Sequence, residues 1–405
     1  MTSTPTRLAA APVVPIARPA AIKHPTDDLT VARDERNARL GYNGQVVLVF
    51  EGGGALGAYQ VGVYQALHEW GVEPDWIIGT SIGAINAAII AGNSRAQRVD
   101  RLMDFWEQIE QPADWGGGFL PGNQTLASLV TISAGVNGFF EPNMISLLNP
   151  QAFVGVEDAA FYRSAPLLQT LRRLVDVDLL QQNMQPHVSF GAVNVATGSM
   201  RYFDSEREPI DLAAVMASGA LPPALPAVLV DGEAYWDGGV YSNTPFEVIM
   251  NRLPRHDSLI FAAHLWHADG AVPTSAWEAI GRSKEIQYAS RVASFVEAER
   301  KLHRLRHVIH QLGPQLSADA HHDPDCRNLL ASGCSTTMHL CRMYAPRLAG
   351  EDALKDIDFS ASGIEQRRSA GYADMLKMLH RKPWVLPHDP LDGIIVHDSA
   401  PQPYG

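Results

Sequence analysis

Residues 46–93 carry the most regular alternation of apolar segments and turns in the chain. Two apolar runs, 46–50 and 76–78, each end in a glycine-rich turn, and each turn leads into an apolar segment with the helical period. This pattern predicts a β-turn-α unit that occurs twice in succession. The first turn, 52–57, offers backbone N–H groups with few side chains in the way, and the second, 79–83, presents a serine.

The second turn has the form G-x-S-x-G, with Ser81 between Gly79 and Gly83. This is the pattern of a nucleophile elbow, in which a serine lies in a strained strand-to-helix turn and glycines relieve steric clashes. The helix that follows directs its positive end toward the site where negative charge would develop. The alternative is a plain turn of small residues, but its position between an apolar run and an Ala/Ile-rich segment favours a catalytic serine.

The first turn also satisfies a different pattern, because Gly52, Gly54 and Gly57 fit G-x-G-x-x-G after a strand and before a helix. A dinucleotide-binding fold needs an acidic residue at the end of the next strand to bind the ribose. Glu73 and Asp75 are near the right spacing but precede that strand. The sequence therefore disfavours a dinucleotide site.

A third candidate segment follows about 150 residues later. Asp237 lies where an apolar strand gives way to the paired glycines Gly238 and Gly239. A carboxylate in this position is held by the scaffold on one side and left sterically open on the other. It is therefore a candidate partner for a catalytic serine.

Taken together, these segments resemble the signature blocks of the patatin-like phospholipases. The resemblance covers about residues 46–251 and depends on the turn 52–57, the turn 79–83, the Asp-Gly-Gly at 237–239 and the further block 217–222. The three signature motifs, 52–57, 79–83 and 237–239, occur in the right order, and together they are far more specific than any one of them. The resemblance implies a three-layer α/β/α hydrolase with a mostly parallel central sheet.

The resemblance also implies a Ser-Asp dyad, with Ser81 as nucleophile and Asp237 as base. The residues that it assigns to the oxyanion hole are Gly52, Gly53, Gly54 and Gly57. The glycines that it places around the dyad in a supporting role are Gly79, Gly83, Gly238 and Gly239. It implies hydrolysis of carboxylic esters of acyl lipids, of phospholipase A or lysophospholipase type, with no metal and no cofactor. Patatin-like sequences often carry Arg or Lys in the glycine-rich block, whereas Leu56 precedes Gly57 here.

Several alternatives remain open at this point. A Ser-Asp-His triad would use His264 or His267, which follow Asp237 in the chain. The substrate could be a storage polyester at a granule surface, or the chain could be a non-catalytic regulator that binds lipid or protein. The His- and Cys-containing tract 321–341 matches no zinc template, so a metal site there is disfavoured.

Composition limits the partners and the cellular compartment that we expect for the protein. The net charge of -12 argues against nucleic acid as a partner. Three cysteines in 405 residues do not form a disulfide framework, and no apolar stretch approaches the roughly 18 residues of a membrane span. We therefore expect a cytoplasmic protein, with peripheral contact to a membrane or storage granule as an option. Nothing in the sequence indicates an oligomeric state.

The predicted domain organisation has four parts. Residues 1–43 form a disordered Ala/Pro-rich leader, 44–256 the catalytic core, 257–385 an extension of helices and strands, and 386–405 a Pro-rich tail. Within the core, 112–143 is predicted to be a lid with an apolar inner surface. Within the extension, 276–312 is predicted to be a long helix whose basic half, 300–310, either docks on anionic lipid or simply covers the sheet.

Overall fold

The computed structural model describes residues 26–111, 131, 133–182, 186–242, 245–349, 351 and 353–399, and their side chains from residue 33 onward except at 290 and 291. The strands are β1 Gln45–Phe50, β2 Trp76–Thr80, β3 Glu141–Pro142, β4 Tyr162–Arg163, β5 His187–Asn194, β6 Met200–Asp204, β7 Val228–Val230, β8 Glu233–Asp237, β9 Ser258–His264, β10 Met338–Tyr344 and β11 Ile394–Asp398. The α-helices are α1 Thr26–Leu40, α2 Ala58–Glu69, α3 Ile82–Ala91, α4 Arg98–Ile109, α5 Met144–Leu148, α6 Ala165–Leu174, α7 Val177–Gln181, α8 Leu212–Ser218, α9 Glu247–Met250, α10 Ala276–Leu312, α11 Ala318–His322, α12 Pro324–Leu330 and α13 Ala361–Arg381.

One large sheet runs through the described residues in the order β11-β10-β9-β1-β2-β5-β8-β7, with β6 also paired to β5. The six strands from β11 to β5 are parallel, and β6, β7 and β8 add antiparallel pairs at the other side. The carboxyl ends of parallel strands meet at one edge of a sheet, where ligands commonly bind. Because β1 and β2 are adjacent and in register, the two glycine-rich turns lie side by side.

Helical layers cover both faces of this sheet. Alternate residues of β1 enter two separate cores: Val46 and Leu48 pack with α2, α3 and α13, whereas Val47 and Val49 pack with α9 and α10. The sequence of a strand that is buried on both faces is a continuous apolar run. The predicted three-layer α/β/α fold with a mostly parallel sheet is therefore confirmed.

The C-terminal region belongs to the same body as the predicted core. Helix α13 packs so closely on α2 that an ideal Cβ on Gly62 would lie 1.9 Å from the Arg368 carbonyl oxygen, and one on Gly371 would lie 2.0 Å from that of Tyr59. The helix predicted over 276–312 is α10. Strands β9, β10 and β11 extend the sheet beyond β1, so the segment after residue 257 completes the layers rather than forming a unit of its own.

Two of the predicted segments differ from the structure. Residues 26–40 of the predicted disordered leader form α1, in which Arg36 pairs with Asp75 at 2.6 Å and Leu40 is fully buried. Residues 394–398 of the predicted tail form β11, paired in parallel with β10. In both cases a short apolar or charged segment gains its order from a distant partner, which local composition does not reveal.

Two further predictions concern the lid and the membrane. Of the predicted lid, 112–130 and 132 lie outside the described residues, while Phe139 and Phe140 pack against each other with ring centroids 5.6 Å apart.

No helix among the described residues combines the length and the hydropathy that are needed to cross a bilayer.

Candidate active site

Ser81 lies in the turn between β2 and α3, as the elbow motif predicts. Its backbone has φ 56° and ψ -123°, in the left-handed half of conformational space that non-glycine residues rarely adopt. Its N–H donates to the hydroxyl and the carbonyl oxygen of Ser218, at 3.1 and 3.2 Å. The surrounding structure thus holds a strained backbone in place, which presents the side chain away from the strand.

The glycines on either side of Ser81 allow this turn to be tight. An ideal Cβ on Gly79 would lie 2.5 Å from the backbone nitrogen of Ala84, and one on Gly83 would lie 2.2 Å from the carbonyl oxygen of Phe50. Any side chain at either position would force the elbow away from the sheet. The G-x-S-x-G spacing is therefore required by packing in this structure.

Asp237, at the end of β8, lines the same cavity as Ser81. This strand pairs antiparallel with β5, and the Asp237 N–H donates to the Ala220 carbonyl oxygen at 2.9 Å. One carboxylate oxygen accepts a hydrogen bond from the Gly239 N–H at 2.7 Å, and the carboxylate also accepts one from the Ser81 hydroxyl. The structure thus brings the two predicted catalytic side chains into direct contact.

The environment of Asp237 makes it a better base than a carboxylate in water. The residue is 1% exposed, and burial raises its pKa from 3.8 to about 6, although the hydrogen bonds from Ser81 and Gly239 lower it. A base with a higher pKa accepts a proton from an alcohol more readily. This rise is the direct consequence of placing a carboxylate at the buried end of β8 without a cationic partner among the groups that shift its pKa.

The glycine-rich turn after β1 faces the Ser81 side chain. Gly52, Gly53 and Gly54 line the same cavity as Ser81 and Asp237. The N–H groups of Gly53 and Gly54 donate no hydrogen bond to any described residue, so they are available to a ligand. Gly54 has φ +54°, and an ideal Cβ there would lie 2.2 Å from the Asp356 carbonyl oxygen. The turn therefore needs glycine at 54 for conformation and for space.

Gly57, which the resemblance places in the oxyanion hole, has a different position. It is buried at the start of α2, outside the residues that line the cavity, and an ideal Cβ on it would lie 2.7 Å from a side-chain carbon of Ile82. Its carbonyl oxygen accepts a hydrogen bond from Asn86 at 3.2 Å. Gly57 thus lets the first turn pack against the helix that carries Ser81.

The cavity has a volume of about 330 Å³ and a mostly apolar wall. Its apolar lining residues are Ile82, Phe139, Phe140, Leu221, Ala224, Leu225, Leu354, Ile357 and Phe359. Ser81 and Asp237 lie among its few polar groups. A concave, apolar site with a small number of converging polar groups is the usual form of a small-molecule site.

The wall of this cavity also includes residues from outside the segments that carry the motifs. Trp266 donates from its indole N–H to the Gly52 carbonyl oxygen at 2.8 Å. Lys284 of α10 lies 5.6 Å from the centre of the Trp266 ring and forms an ion pair with Asp356. No sequence signal marks these residues, because they meet the glycine-rich turn only through tertiary packing. Because Asp356 also lines the cavity, its ion pair with Lys284 adds no net charge there.

The two histidines of the alternative triad have other partners. Nδ1 of His264 lies 2.6 Å from a carboxylate oxygen of Glu51, and the two side chains are buried together. Nε2 of His267 lies 2.7 Å from the Ala345 carbonyl oxygen. Neither imidazole is among the groups that shift the Asp237 pKa or line the cavity. The described structure therefore gives the triad no support.

The alternative of a dinucleotide site can be tested in the same way. Asp75 lies at the amino end of β2, where it pairs with Arg36, and Glu73 pairs with Arg98 at 2.5 Å. Ser81 follows the carboxyl end of β2, where a ribose-binding carboxylate would have to lie. The described structure thus lacks the acidic group that the dinucleotide fold requires at this strand end.

Fold and site together define the class: an α/β/α protein with a serine on a strand-to-helix elbow. The sequence model of the patatin-like phospholipase family matches residues 48–250, half of the chain. A second model, described as patatin phospholipase, matches residues 286–391. The chain therefore belongs to the patatin-like phospholipase family, as the sequence motifs predicted.

Curated relatives match the part of the chain that contains the motifs. An uncharacterized NTE family protein of Mycobacterium tuberculosis is 26% identical over 205 residues, which are 51% of this chain and 45% of that protein. Patatin-like phospholipase domain-containing protein 6 of Homo sapiens is 28% identical over 217 residues, 53% of this chain and 13% of that protein. The match thus spans less than half the length of these relatives.

Among solved structures, VipD from Legionella pneumophila aligns with a TM-score of 0.35 and 14% identity, over 83% of this chain and 67% of that one. The full-length ExoU of Pseudomonas aeruginosa, in complex with SpcU, aligns with a TM-score of 0.23 and 16% identity, over 86% of this chain and 75% of that one.

Proposed function

We propose that this protein is a serine acyl hydrolase that cleaves carboxylic ester bonds of acyl lipids, in the manner of a phospholipase A or lysophospholipase, through a dyad of Ser81 and Asp237. One observation carries this proposal: the Ser81 hydroxyl donates a hydrogen bond to the buried Asp237 carboxylate in the apolar cavity that Gly53 and Gly54 also line. A nucleophile, a base and amide donors thus surround the space that a substrate carbonyl would occupy. Membership of the patatin-like phospholipase family supports the choice of a lipid ester.

In the first half of the reaction, Ser81 Oγ attacks the ester carbonyl carbon while its proton passes to Asp237. The carbonyl oxygen becomes an oxyanion, which the amides of Gly53 and Gly54 stabilise. Such a donor is worth roughly 3–4 kcal/mol in a comparable enzyme. The bond to the alcohol oxygen then breaks, the alcohol takes the proton from Asp237, and the acyl group remains on Ser81.

In the second half, a water molecule takes the place of the alcohol. Asp237 accepts a proton from this water as its oxygen attacks the acyl-Ser81 carbonyl, and the same amides stabilise the second oxyanion. When the Ser81–acyl bond breaks, Asp237 returns the proton to Ser81 Oγ. The products are a free carboxylic acid and the regenerated enzyme, and no step calls on a metal or a cofactor.

Labelling with a fluorophosphonate probe tests the proposal. The wild-type protein should be labelled at Ser81, and Ser81→Ala should lose labelling and lose turnover of a soluble short-chain ester by about 10⁴-fold or more. Ser199→Ala, in an exposed turn outside the cavity, is the matched control and should behave as the wild type. A protein that stays unlabelled, or that is labelled equally as Ser81→Ala, would contradict the proposed enzyme, and absence of labelling would favour a non-catalytic binder.

The substrate class requires a second comparison. We expect hydrolysis of a soluble short-chain ester and of phospholipid vesicles, with release of free fatty acid in both. An amorphous storage polyester belongs in the same panel, because it presents the same bond at an apolar interface. Turnover of the polyester alone, with no fatty acid from vesicles, would contradict the assignment to acyl lipids.

A further inference from the structure

A short segment beside the cavity exposes an unusual amount of apolar surface. We call residues 143–156, which include the short helix α5, the uncharged loop, because the sequence NMISLLNPQAFVGV contains no Asp, Glu, Lys, Arg or His. Its exposed apolar side chains, with their exposed fractions, are Met144 59%, Ile145 52%, Leu147 42%, Leu148 80%, Phe153 101% and Val156 52%. Single exposed apolar residues are ordinary, whereas a contiguous group of them marks an interaction surface.

The uncharged loop is fixed to the wall of the cavity. It leaves β3 and returns to β4, and these two strands pair with each other. Asn143, at its start, is buried and donates from its side chain to the carbonyl oxygens of Asp158 and Ala160, at 2.9 and 3.1 Å. Phe140, directly before β3, and Tyr162, the first residue of β4, stack edge to face at 5.0 Å, and both line the cavity. The loop is therefore anchored next to residues that line the cavity.

The charges around the loop indicate which kind of surface it meets. Glu141 and Glu157 flank it, and both are exposed. Asp158 lies 3.6 Å from Arg163, so this pair adds no net charge. Acidic flanks and a net charge of -12 disfavour attraction to an anionic membrane. The apolar side chains must therefore drive the contact, and a neutral or zwitterionic lipid surface fits them best.

The basic half of α10, which the sequence offers as a lipid-docking element, is a weaker candidate. Arg304 pairs with Asp389 and Asp392, at 3.2 and 2.6 Å. Arg300 and Lys301 both lie 3.5 Å from Glu297. Because carboxylates of the protein neutralise these cations, this helix presents little positive charge to lipid.

From these observations we propose that the uncharged loop inserts into the surface of a neutral or zwitterionic lipid aggregate and holds the mouth of the cavity against it. An acyl lipid could then pass from the aggregate into the cavity along apolar side chains, without crossing water. The passage of substrate rests on the function proposed above, whereas binding to the surface needs no catalysis.

Flotation with phosphatidylcholine vesicles tests the proposal, in the Ser81→Ala background so that the vesicles stay intact. Leu148→Ser combined with Phe153→Ser should weaken binding about a hundredfold, since each lost apolar contact is worth about tenfold. Val272→Ser combined with Leu329→Ser is the matched control, because these residues are 86% and 71% exposed elsewhere in the chain. The control should bind as the parent protein does, at low and high salt alike.

Two more measurements separate the alternatives. With Ser81 restored, the loop variant should keep its melting temperature and its activity on a soluble ester, and lose activity only on vesicles. Unchanged vesicle binding by the variant would overturn the proposal, as would binding that requires phosphatidylglycerol and disappears at high salt. The proposal would also be overturned if the parent protein did not bind vesicles but self-associated through the loop. Absence of soluble-ester hydrolysis in the wild type would overturn the proposed function instead, whatever the vesicles show.

Discussion

The floor and the wall of the cavity are encoded in different ways. The floor consists of Ser81, Asp237 and the turn of Gly52–Gly54, which short motifs mark in the sequence. The wall includes Trp266, Lys284 and Asp356, which come from the segment after residue 257 and carry no motif. Reacting groups need a particular backbone at a particular side chain, so their sequence is constrained locally. A wall needs only shape and polarity, which many sequences provide.

The two regions nevertheless touch each other at the glycine-rich turn. The Trp266 indole N–H bonds the Gly52 carbonyl oxygen, and the Asp356 carbonyl oxygen fills the space beside Gly54. The wall therefore supports the amides that we assign to the oxyanion hole. A comparison of substitutions in the floor with substitutions in the wall measures how far catalysis depends on that support.

After Ser81→Ala, the largest effect is expected from a second substitution in the floor, Asp237→Asn. Loss of the base should lower kcat by about 10³- to 10⁴-fold. In the wild type, kcat/KM should rise with pH as Asp237 loses its proton, with a midpoint near its pKa of about 6. The pH profile of ester hydrolysis measures this, and Asp231→Asn, at an exposed carboxylate, is the control. A flat profile between pH 5 and 8 would contradict the role of Asp237.

The same substitution should make the protein more stable above pH 6. Because burial raises the pKa of Asp237 from 3.8 to about 6, the folded state holds its proton more tightly than the unfolded state. Stability is therefore lost as the pH rises through this window, by up to roughly 3 kcal/mol. Asp237→Asn removes this loss, so the free energy of unfolding should exceed that of the wild type at pH 8 and match it below pH 4.

Gly54→Ala tests the contact between floor and wall. The new methyl group meets a positive φ and the Asp356 carbonyl oxygen, so the turn must shift. A shift of about 1 Å should lower kcat by about 10²-fold. Gly198→Ala is a matched control, because Gly198 has φ +68° but nothing within 4 Å of its ideal Cβ. Equal activity in the two variants would show that the position of the turn is unimportant.

Lys284→Met tests the wall alone. It leaves the Asp356 carboxylate, 13% exposed, without its cation, which should destabilise the protein by about 1–2 kcal/mol. Since Asp356 also contacts Gly54, we expect kcat/KM for a soluble ester to fall about tenfold. Lys377→Met, which removes an ion pair with Asp374 whose lysine is 67% exposed, is the control and should change neither quantity. A wall that does not support the turn would give no difference between these two variants.

The smallest effect is expected from His267→Gln. Glutamine can keep the hydrogen bond to the Ala345 carbonyl oxygen, and His267 does not line the cavity. Turnover of a soluble ester should stay within about twofold of the wild type, since a catalytic base would contribute 10²-fold or more. A loss of that size would favour the Ser-Asp-His triad over the Ser-Asp dyad.

The motifs predicted some parts of this molecule and could not predict others. The two β-turn-α units were predictable because a buried parallel strand, a glycine turn and an apolar helix each leave a local pattern. The order of α1 and of β11 was not predictable, because Arg36 depends on Asp75 and β11 depends on β10. The role of Gly57 in amide donation stays a prediction, and its close approach to Ile82 depends on tertiary packing.

The sequence by itself determined the chemistry that this protein can offer: an elbow that only glycines permit, a carboxylate before paired glycines, and a turn rich in amides. These features depend on backbone conformations and steric limits within a few residues. Tertiary structure alone decided that the Ser81 hydroxyl would meet Asp237, that burial would raise the pKa of this carboxyl, and that Lys284 would face the same cavity. Contact and desolvation depend on segments far apart in the chain, which no local pattern records.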